Sequence, residues 1–271
     1  MTKSSLLPSL EKLHSKGFQV VFRAHAKAIL GVDFAEALTE LEKILLKLSI
    51  PIEEIIASGG GEAKGTQRLR RALDAKGWVK TKFEITKVIN KHPRESISHE
   101  VDHVKTIGEE SAIALEIEWN NKDPFFDRDL ENFKRLHAEG AISVGVIVTR
   151  GETLQDDMPK LVRRFIDQHK INSFSPLERF GYTPTPKQKK AINDRVSRAQ
   201  NPVPFADAFT DKFVSDKFGQ ATTHWRKLMD RVSRGVGNPC PLLLIGLPSS
   251  IVSFDETASA LKEIDSASDE E

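Results

Sequence analysis

The run AISVGVIVTRG at residues 141–151 is the feature that most constrains the fold. It is nearly continuous in apolar residues and rich in β-branched ones, which is typical of a strand buried on both faces of a sheet. Upstream, AIALEIEW at residues 112–119 alternates like a strand, and DRDLENFKRLHAEG at residues 127–140 has helical spacing and ends at a glycine. Strand, helix and buried strand indicate a crossover unit with a parallel strand pair. We therefore predict an α/β fold, with a central mixed β-sheet flanked by helices.

The rest of the chain divides by composition. Residues 1–57 are predicted to be an N-terminal helical part packed on the core, because GVDFAEALTELEKILLKLSI places apolar residues at helical spacing. Residues 58–255 are expected to form the main domain. Within it, residues 172–212 are polar and punctuated by prolines, which indicates loops with one short helix and a candidate arm. Residues 256–271 are an acidic tail. We expect one structural domain overall.

Composition excludes several classes of protein. Of the 271 residues, 39% are hydrophobic and 29% charged, and no apolar run approaches the roughly 20 residues of a membrane span. The N-terminal sequence lacks a secretory signal pattern, so we expect a cytoplasmic protein. The single cysteine, Cys240, excludes an internal disulfide framework and a cysteine-based zinc site. The net charge of +1 gives no overall argument for a nucleic-acid partner.

One segment is locally basic. KGTQRLRRALDAKGWVKTKF, at residues 64–83, has seven lysines and arginines against one acid. This charge is compatible with a grip on a phosphate backbone, and equally with a solvated helix face. The preceding loop, SGGGEAKGT, is rich in glycine but lacks the GKS or GKT ending of a nucleotide-binding loop. We therefore expect no nucleotide cofactor.

Three acids are the candidate centre of chemistry. In a strand over residues 112–119, Glu116 and Glu118 lie on the face opposite the large apolar residues. If EVDHVK pairs back across a turn at residues 108–111, Asp102 falls opposite residue 115 or 116, and a one-residue bulge would align it with Glu116. Crowded carboxylates repel one another unless they hold protons or a cation. An oxygen-only ligand set favours Mg²⁺, Mn²⁺ or Ca²⁺. The alternative is two acids that face solvent from an edge strand.

Residues 100–151, from EVDHV to IVTRG, resemble the catalytic core of the PD-(D/E)xK nucleases, and among these the Type II restriction endonucleases around BglII and BstYI. The core pattern is a metal-binding Asp followed, after ten or more residues, by (D/E)-x-K, and the matching positions are Asp102, Glu116 and Glu118. Similarity in residues 58–83 and 219–247 extends the resemblance to residues 52–247. Glu118 stands where most such nucleases have lysine, although BamHI-like enzymes also have an acid there.

The resemblance implies a site-specific deoxyribonuclease that acts as a homodimer on a short palindromic site in double-stranded DNA, with a GATC centre. It implies Mg²⁺ as cofactor, for which Mn²⁺ substitutes. Asp102 and Glu116 would ligate the metal, and Glu118 would ligate it or assist the attacking water. Glu62 is our candidate for a further acid from a preceding helix, in competition with Glu84 and Glu100.

The resemblance also directs attention to residues for DNA contact. Lys64, Arg68 and Arg71 are expected to meet phosphates. The stretch ATTHWRK offers hydroxyl, imidazole and guanidinium groups for backbone or base-edge contacts, namely Thr222, Thr223, His224 and Arg226. The segment at residues 172–212 has the length of an arm that embraces DNA. Two other readings stay open: a nuclease of the same fold for repair or junction resolution, and a non-catalytic DNA-binding protein.

Overall fold

A computed structural model describes residues 8–108 and 111–254. The helices are α1 (Pro8–Ser15), α2 (Ala26–Val32), α3 (Ala35–Leu46), α4 (Ile52–Ile56), α5 (Lys64–Asp74), α6 (Phe125–Ala138), α7 (Glu152–Gln168), α8 (Ser175–Glu178), α9 (Pro186–Val196), α10 (Phe205–Lys217) and α11 (Trp225–Ser233). The strands are β1 (Gln19–Arg23), β2 (Ile50–Pro51), β3 (Val79–Ile89), β4 (His92–Ile107), β5 (Ser111–Glu118), β6 (Val144–Arg150), β7 (Leu242–Leu247) and β8 (Val252–Ser253). No helix in these ranges is both long and apolar enough to cross a membrane.

Six strands form one sheet in the order β1-β7-β6-β5-β4-β3. β6 is parallel to both β5 and β7, whereas the pairs β1–β7, β4–β5 and β3–β4 are antiparallel. Two parallel strands that follow each other in sequence must be joined by a crossover connection. The helix α6 forms that connection between β5 and β6. The predicted mixed sheet flanked by helices is confirmed.

The central strands of the sheet are buried on both faces. Every residue of β6 and β7 is buried, as their apolar sequences require. On one face, α6 packs Phe126, Leu130 and Phe133 against the sheet in a cluster that also includes Ile147. The small side chains on β5, such as Ala114, give α6 room to approach closely.

The chain separates into two compact units. The larger comprises the described residues up to Leu48, Thr66–Gln155 and Ala221–Pro248, and it contains the six-stranded sheet. The smaller comprises Ser49–Gly65, Asp156–Gln220 and the described residues from Ser249. Its parallel strands β2 and β8 form a separate small sheet. An aromatic cluster stabilises it, with Phe209 near Tyr182 and near Phe213.

Two predicted segments differ from the structure. Residues 1–57 are not wholly helical, because Gln19–Arg23 pairs with β7 at the sheet edge. Residues 172–212 contain α8, α9 and the start of α10 rather than one short helix. Thr185 begins α9 with a reciprocal capping box to Gln188, a local signal that a polar segment can still form a helix. The acidic tail at residues 256–271 lies outside the described residues, as do Glu109 and Glu110 in the predicted turn.

The close approach of α6 to β6 gives a first prediction. A Cβ added at Gly145 would lie 2.8 Å from Cγ of Phe133. We expect Gly145→Ala to lower the free energy of unfolding by about 1–3 kcal/mol through overpacking, measured by urea denaturation. Gly60→Ala is the control, because its added Cβ would meet nothing within 4 Å. Adding Phe133→Leu should recover part of the loss, and a fully stable Gly145→Ala protein would contradict this packing.

Candidate active site

The register of the β4–β5 hairpin decides where Asp102 lies. His103 pairs with Leu115 and Val104 with Ala114, so one further step places Asp102 opposite Glu116. Of the two alternatives left open by the sequence, the continued register favours residue 116, and the five paired positions of β4 and β5 contain no bulge. The irregularity lies on the other side, where the β3–β4 register shifts between Val79 and Thr81.

Glu116 and Glu118 are buried inside the sheet. Their residues are 5% and 2% exposed, and β5 lies between β4 and β6. The alternative of two solvent-facing acids on an edge strand is thus wrong. Two carboxyl groups in such a place are costly, because burial removes the water that would stabilise their charges.

A third buried acid comes from α6. Asp129 is 1% exposed, and its negative charge helps to raise the pKa of Glu118. Asp129 was not predicted from the sequence, although a signal exists: it is three residues after Phe126 and four before Phe133, on the apolar stripe of the helix.

Burial and mutual repulsion perturb the acidity of the cluster. Burial raises the pKa of Glu116 well above its ordinary value, and the charges of Asp129 and Asp102 add to the effect. Burial also raises the pKa of Glu118 to about 8, with Asp129 contributing. The pKa of Asp129 is raised by burial in spite of the opposing charge of Arg128. Near neutral pH the metal-free cluster therefore retains protons that ordinary carboxyl groups would have lost.

Two cations of the chain itself stabilise the acids. Arg128 donates from Nε to Oδ1 of Asp129 at 2.8 Å, and its Nη2 lies 3.6 Å from Oε1 of Glu118. Its guanidinium also stacks over the Phe125 ring, 4.3 Å from the centroid. On the other side, Nζ of Lys80 lies 2.6 Å from Oε1 of Glu100 and 4.0 Å from Oδ1 of Asp102.

The three predicted acids are not arranged around a common ion site in this structure. Within residues 8–108 and 111–254, no three His, Cys, Asp or Glu side chains are arranged so that they could hold a metal ion as they stand. The side chain of Asp102 is 56% exposed and lies toward Lys80, whereas the two glutamates are buried. The acids nevertheless form one electrostatic group, because the pKa of Glu116 responds to Asp102, Asp129 and Glu118.

The end of β5 is held by the loop before α11. Asn121 donates from Nδ2 to Oε2 of Glu118 at 2.9 Å. The Asn121 backbone exchanges two hydrogen bonds with Thr223, one to its Oγ1 and one from its N–H. The fully buried Arg150 donates to the carbonyl oxygens of Trp119 and Thr223 and to Oγ1 of Thr222. This loop therefore fixes the segment that positions Glu118.

These contacts correct part of the expected DNA-binding set. Thr223 is 0% and His224 1% exposed, so neither side chain faces a ligand in this conformation, and Thr223 supports Asn121 instead. Burial, followed by the charge of Arg150, lowers the pKa of His224 to about 4, which leaves the imidazole neutral near pH 7. Arg226 fits the expectation better, because its side chain is 48% exposed at the start of α11.

The remaining predicted residues lie on or before α5. Leu69 and Leu73 are buried as predicted, and Arg71 is exposed while Arg68 is partly buried. Lys64 and Glu62 are exposed and belong to the smaller unit, whereas the acid cluster belongs to the larger one.

Glu84 and Glu100, the two alternatives to Glu62 as the further acid, lie in the larger unit. Glu84 pairs with Lys82 on the exposed side of β3, and Glu100 shares Lys80 with Asp102. Glu100 is therefore the competitor that the structure brings beside the cluster.

A mixed six-stranded sheet flanked by helices, with acids gathered where β4 and β5 meet, defines a protein with a restriction-endonuclease fold. The particular family follows from sequence comparison. The model of the family "Restriction endonuclease BglII/BglIII" matches residues 18–247 of the 271-residue chain. The chain belongs to this family, as the resemblance predicted. No curated protein matches the chain.

The crowding of Glu118 gives a second prediction. A raised pKa in the folded state means that stability is greatest below the pKa of the unfolded carboxyl, near 4.3, and falls as pH rises toward 8. In a chelator, Glu118→Gln should therefore be more stable than the wild type, by a margin larger at pH 8 than at pH 5. Thermal unfolding monitored by circular dichroism measures this.

The matched control is Glu131→Gln on α6, because Glu131 is 40% exposed and pairs with Lys134. It should show neither the gain nor the pH dependence. A Glu118→Gln protein that is less stable than the wild type at pH 8 would contradict the conclusion that the buried Glu118 carboxyl destabilises the folded protein at this pH.

Arg128 gives a third prediction. It neutralises Glu118 and Asp129 where an added cation would compete for the same oxygens. Arg128→Gln should lower the free energy of unfolding in a chelator, by less than about 1 kcal/mol because the guanidinium is half exposed. It should also tighten Ca²⁺ binding severalfold, measured by calorimetry. Arg234→Gln, which breaks an exposed pair with Asp230, should change neither, and weaker Ca²⁺ binding by Arg128→Gln would contradict the competition.

Proposed function

We propose that this protein is a Type II site-specific deoxyribonuclease that hydrolyses phosphodiester bonds in a short palindromic site of double-stranded DNA. The observation that carries the proposal is the burial of Glu116 and Glu118 at the end of a central strand, with Asp102 opposite, in a chain of the BglII family. Acids so costly to bury are expected where a cation and a phosphate complete the charge balance.

The acid cluster fits a hard divalent cation. Its donors are all carboxylate oxygens, and the burial that raises the pKa of Glu116 leaves a negative group with little water to stabilise it. Asp102, Glu116 and Glu118 would hold Mg²⁺, or Mn²⁺ in its place, with Asp129 beside them. A cation bound there would lower the pKa of the attacking water and neutralise charge on the phosphate.

The side chains around the cation position and exchange protons. Asn121 holds Oε2 of Glu118 at 2.9 Å, so this carboxylate has a fixed orientation. Once it has lost its proton, Glu118 can accept one from the attacking water, a task that lysine assists in most related nucleases. Arg128 would balance the charge of Glu118 when its proton has left, whereas the charge of Asp129 favours the protonated form. Lys80, beside Asp102, brings positive charge toward the phosphate from β3.

The wider assignments belong to the same proposal. Lys64, Arg68 and Arg71 would contact phosphates along α5, and Arg226 and Thr222 the backbone or base edges at the start of α11. Cleavage of both strands of a palindrome favours a two-fold homodimer, since the symmetry of the partner matches that of the site. We propose a GATC centre and action in the cytoplasm.

Digestion of plasmid DNA is the direct test and our fourth prediction. With Mg²⁺ the protein should produce discrete fragments, and sequencing of their ends should place every cut at one palindrome. Glu116→Gln should lose at least about 100-fold in rate, because it removes a carboxylate from the charge that assists the reaction, while retaining DNA binding in Ca²⁺. Glu139→Gln, an exposed change after α6, should cleave normally.

The two rival functions give different results. Cleavage confined to branched or nicked DNA would indicate a structure-specific nuclease of the same fold. DNA binding by the wild-type protein without any cleavage, and without strengthening by Ca²⁺, would show that the acids do not serve catalysis.

A further inference from the structure

The β3–β4 hairpin is longer than the sheet to which it belongs. β4 pairs with β5 only from His103 to Ile107, but with β3 it pairs from His92 to Val104. Beyond Asp102 the hairpin is therefore a ribbon to which the described part of the chain adds no third strand. From Asp102 to His92 is about ten residues, or about 33 Å at 3.3 Å per residue, which is about one turn of B-form DNA.

The outer part of this ribbon leaves the core. Phe83 and Ile85 are partly buried against the cluster that includes Val101. From Thr86 to His92 every residue is exposed. Val88 is 57% and Ile89 55% exposed, and both are among the large apolar residues that the fold leaves in water. We call residues 86–92 the ribbon tip.

The charge of the ribbon tip is of one sign. From residue 86 to residue 92 the sequence is TKVINKH, with two lysines and a histidine but no acid. Of the flanking acids, Glu84 is already paired with Lys82 at 2.6 Å, and Glu95 lies opposite Lys87 in the strand register. Asn90 and Lys91 have φ values of 50° and 66°, the left-handed conformation of a tight two-residue hairpin turn. The tip is therefore a defined, basic structure with exposed aliphatic side chains.

The place where the ribbon begins indicates what it meets. It leaves the sheet at Asp102, which lies opposite Glu116 and 4.0 Å from Nζ of Lys80. A duplex whose phosphate reaches these acids passes the base of the ribbon. A two-stranded ribbon fits the major groove, where aliphatic side chains contact thymine methyl groups. A second copy is the weaker occupant, because a two-fold contact would place like-charged tips against each other.

We propose that the ribbon tip is a DNA-contacting arm, in which Lys87 and Lys91 contact phosphates and Val88 and Ile89 lie in the major groove. The proposal rests on the proposed function, because it presumes duplex DNA at the acid cluster. It adds a specificity surface that neither the basic helix α5 nor the loop before α11 provides.

The test uses Glu116→Gln protein, which should bind without cutting, in Ca²⁺. Binding to a duplex containing the cleaved site is measured by fluorescence anisotropy at several salt concentrations. Lys87→Gln with Lys91→Gly should weaken binding about tenfold or more and lower the slope of log affinity against log salt by about 2, one per lost phosphate contact. Glycine suits the positive φ of residue 91. Lys43→Gln with Lys47→Gln, both exposed at the end of α3, is the matched control and should change neither quantity.

The aliphatic part of the tip is tested separately with Val88→Thr and Ile89→Thr together. This variant should bind the cleaved site severalfold more weakly, with an unchanged salt slope and unchanged affinity for unrelated duplex. Thermal unfolding checks that each variant folds as the control does.

Three outcomes would overturn the arm. If both tip variants bind as tightly as the control while wild-type protein cleaves its site, the arm is refuted and the nuclease function stands. If wild-type protein neither binds nor cuts duplex DNA, both proposals fail together. If the threonine variant changes the oligomeric state in light scattering but not DNA affinity, the tip is a protein interface instead.

Discussion

The removal of three carboxyl groups from water governs the centre of this molecule. Glu116 and Glu118 on β5 and Asp129 on α6 are each at most 5% exposed, in a place where a strand and helix would otherwise pack apolar side chains. Such groups persist when protons, hydrogen bonds or cations compensate them. The structure supplies an amide from Asn121 and the guanidinium of Arg128, and burial raises the pKa of Glu118 to about 8, which favours its protonated form near neutral pH. The interior of the sheet is thus arranged around charge as well as around apolar packing.

The same arrangement separates the resting protein from the proposed working one. Arg128 and Lys80 each pair with acids that a divalent ion would need. A divalent ion bound there would therefore compete with these two side chains for the carboxylates. The guanidinium of Arg128 also stacks over the ring of Phe125.

Periodicity and spacing predicted the centre of the fold well. The apolar run that became β6 could be buried only in the middle of a sheet, and the alternation of β5 placed Glu116 and Glu118 on one face. Local sequence patterns did not predict an element whose pairing partner is distant in sequence. β1 is a five-residue strand that depends on pairing with β7, more than 200 residues away. Residues 172–212 were harder because helix signals there lie among prolines.

The site was predictable in part for the same reason. Asp102 and the two glutamates share a local hairpin, so their register follows from one turn. Asp129 escaped notice because its burial depends on how α6 packs over the sheet, although its position on the apolar stripe marked it. Thr223 and His224 looked like surface residues in a polar stretch, and only the bridge between residues 121–123 and 221–223 shows that they are internal.

β3 lies at one end of the sheet order, so its outer row of backbone N–H and C=O groups has no neighbouring strand among residues 8–108 and 111–254. Such a row invites strand addition by another chain. Lys80, Lys82 and Lys87 stand along this edge, and lysine side chains discourage strand addition through their charge and hydration. Lysine at these three positions would therefore protect the protein from aggregation, independently of any role in binding a ligand.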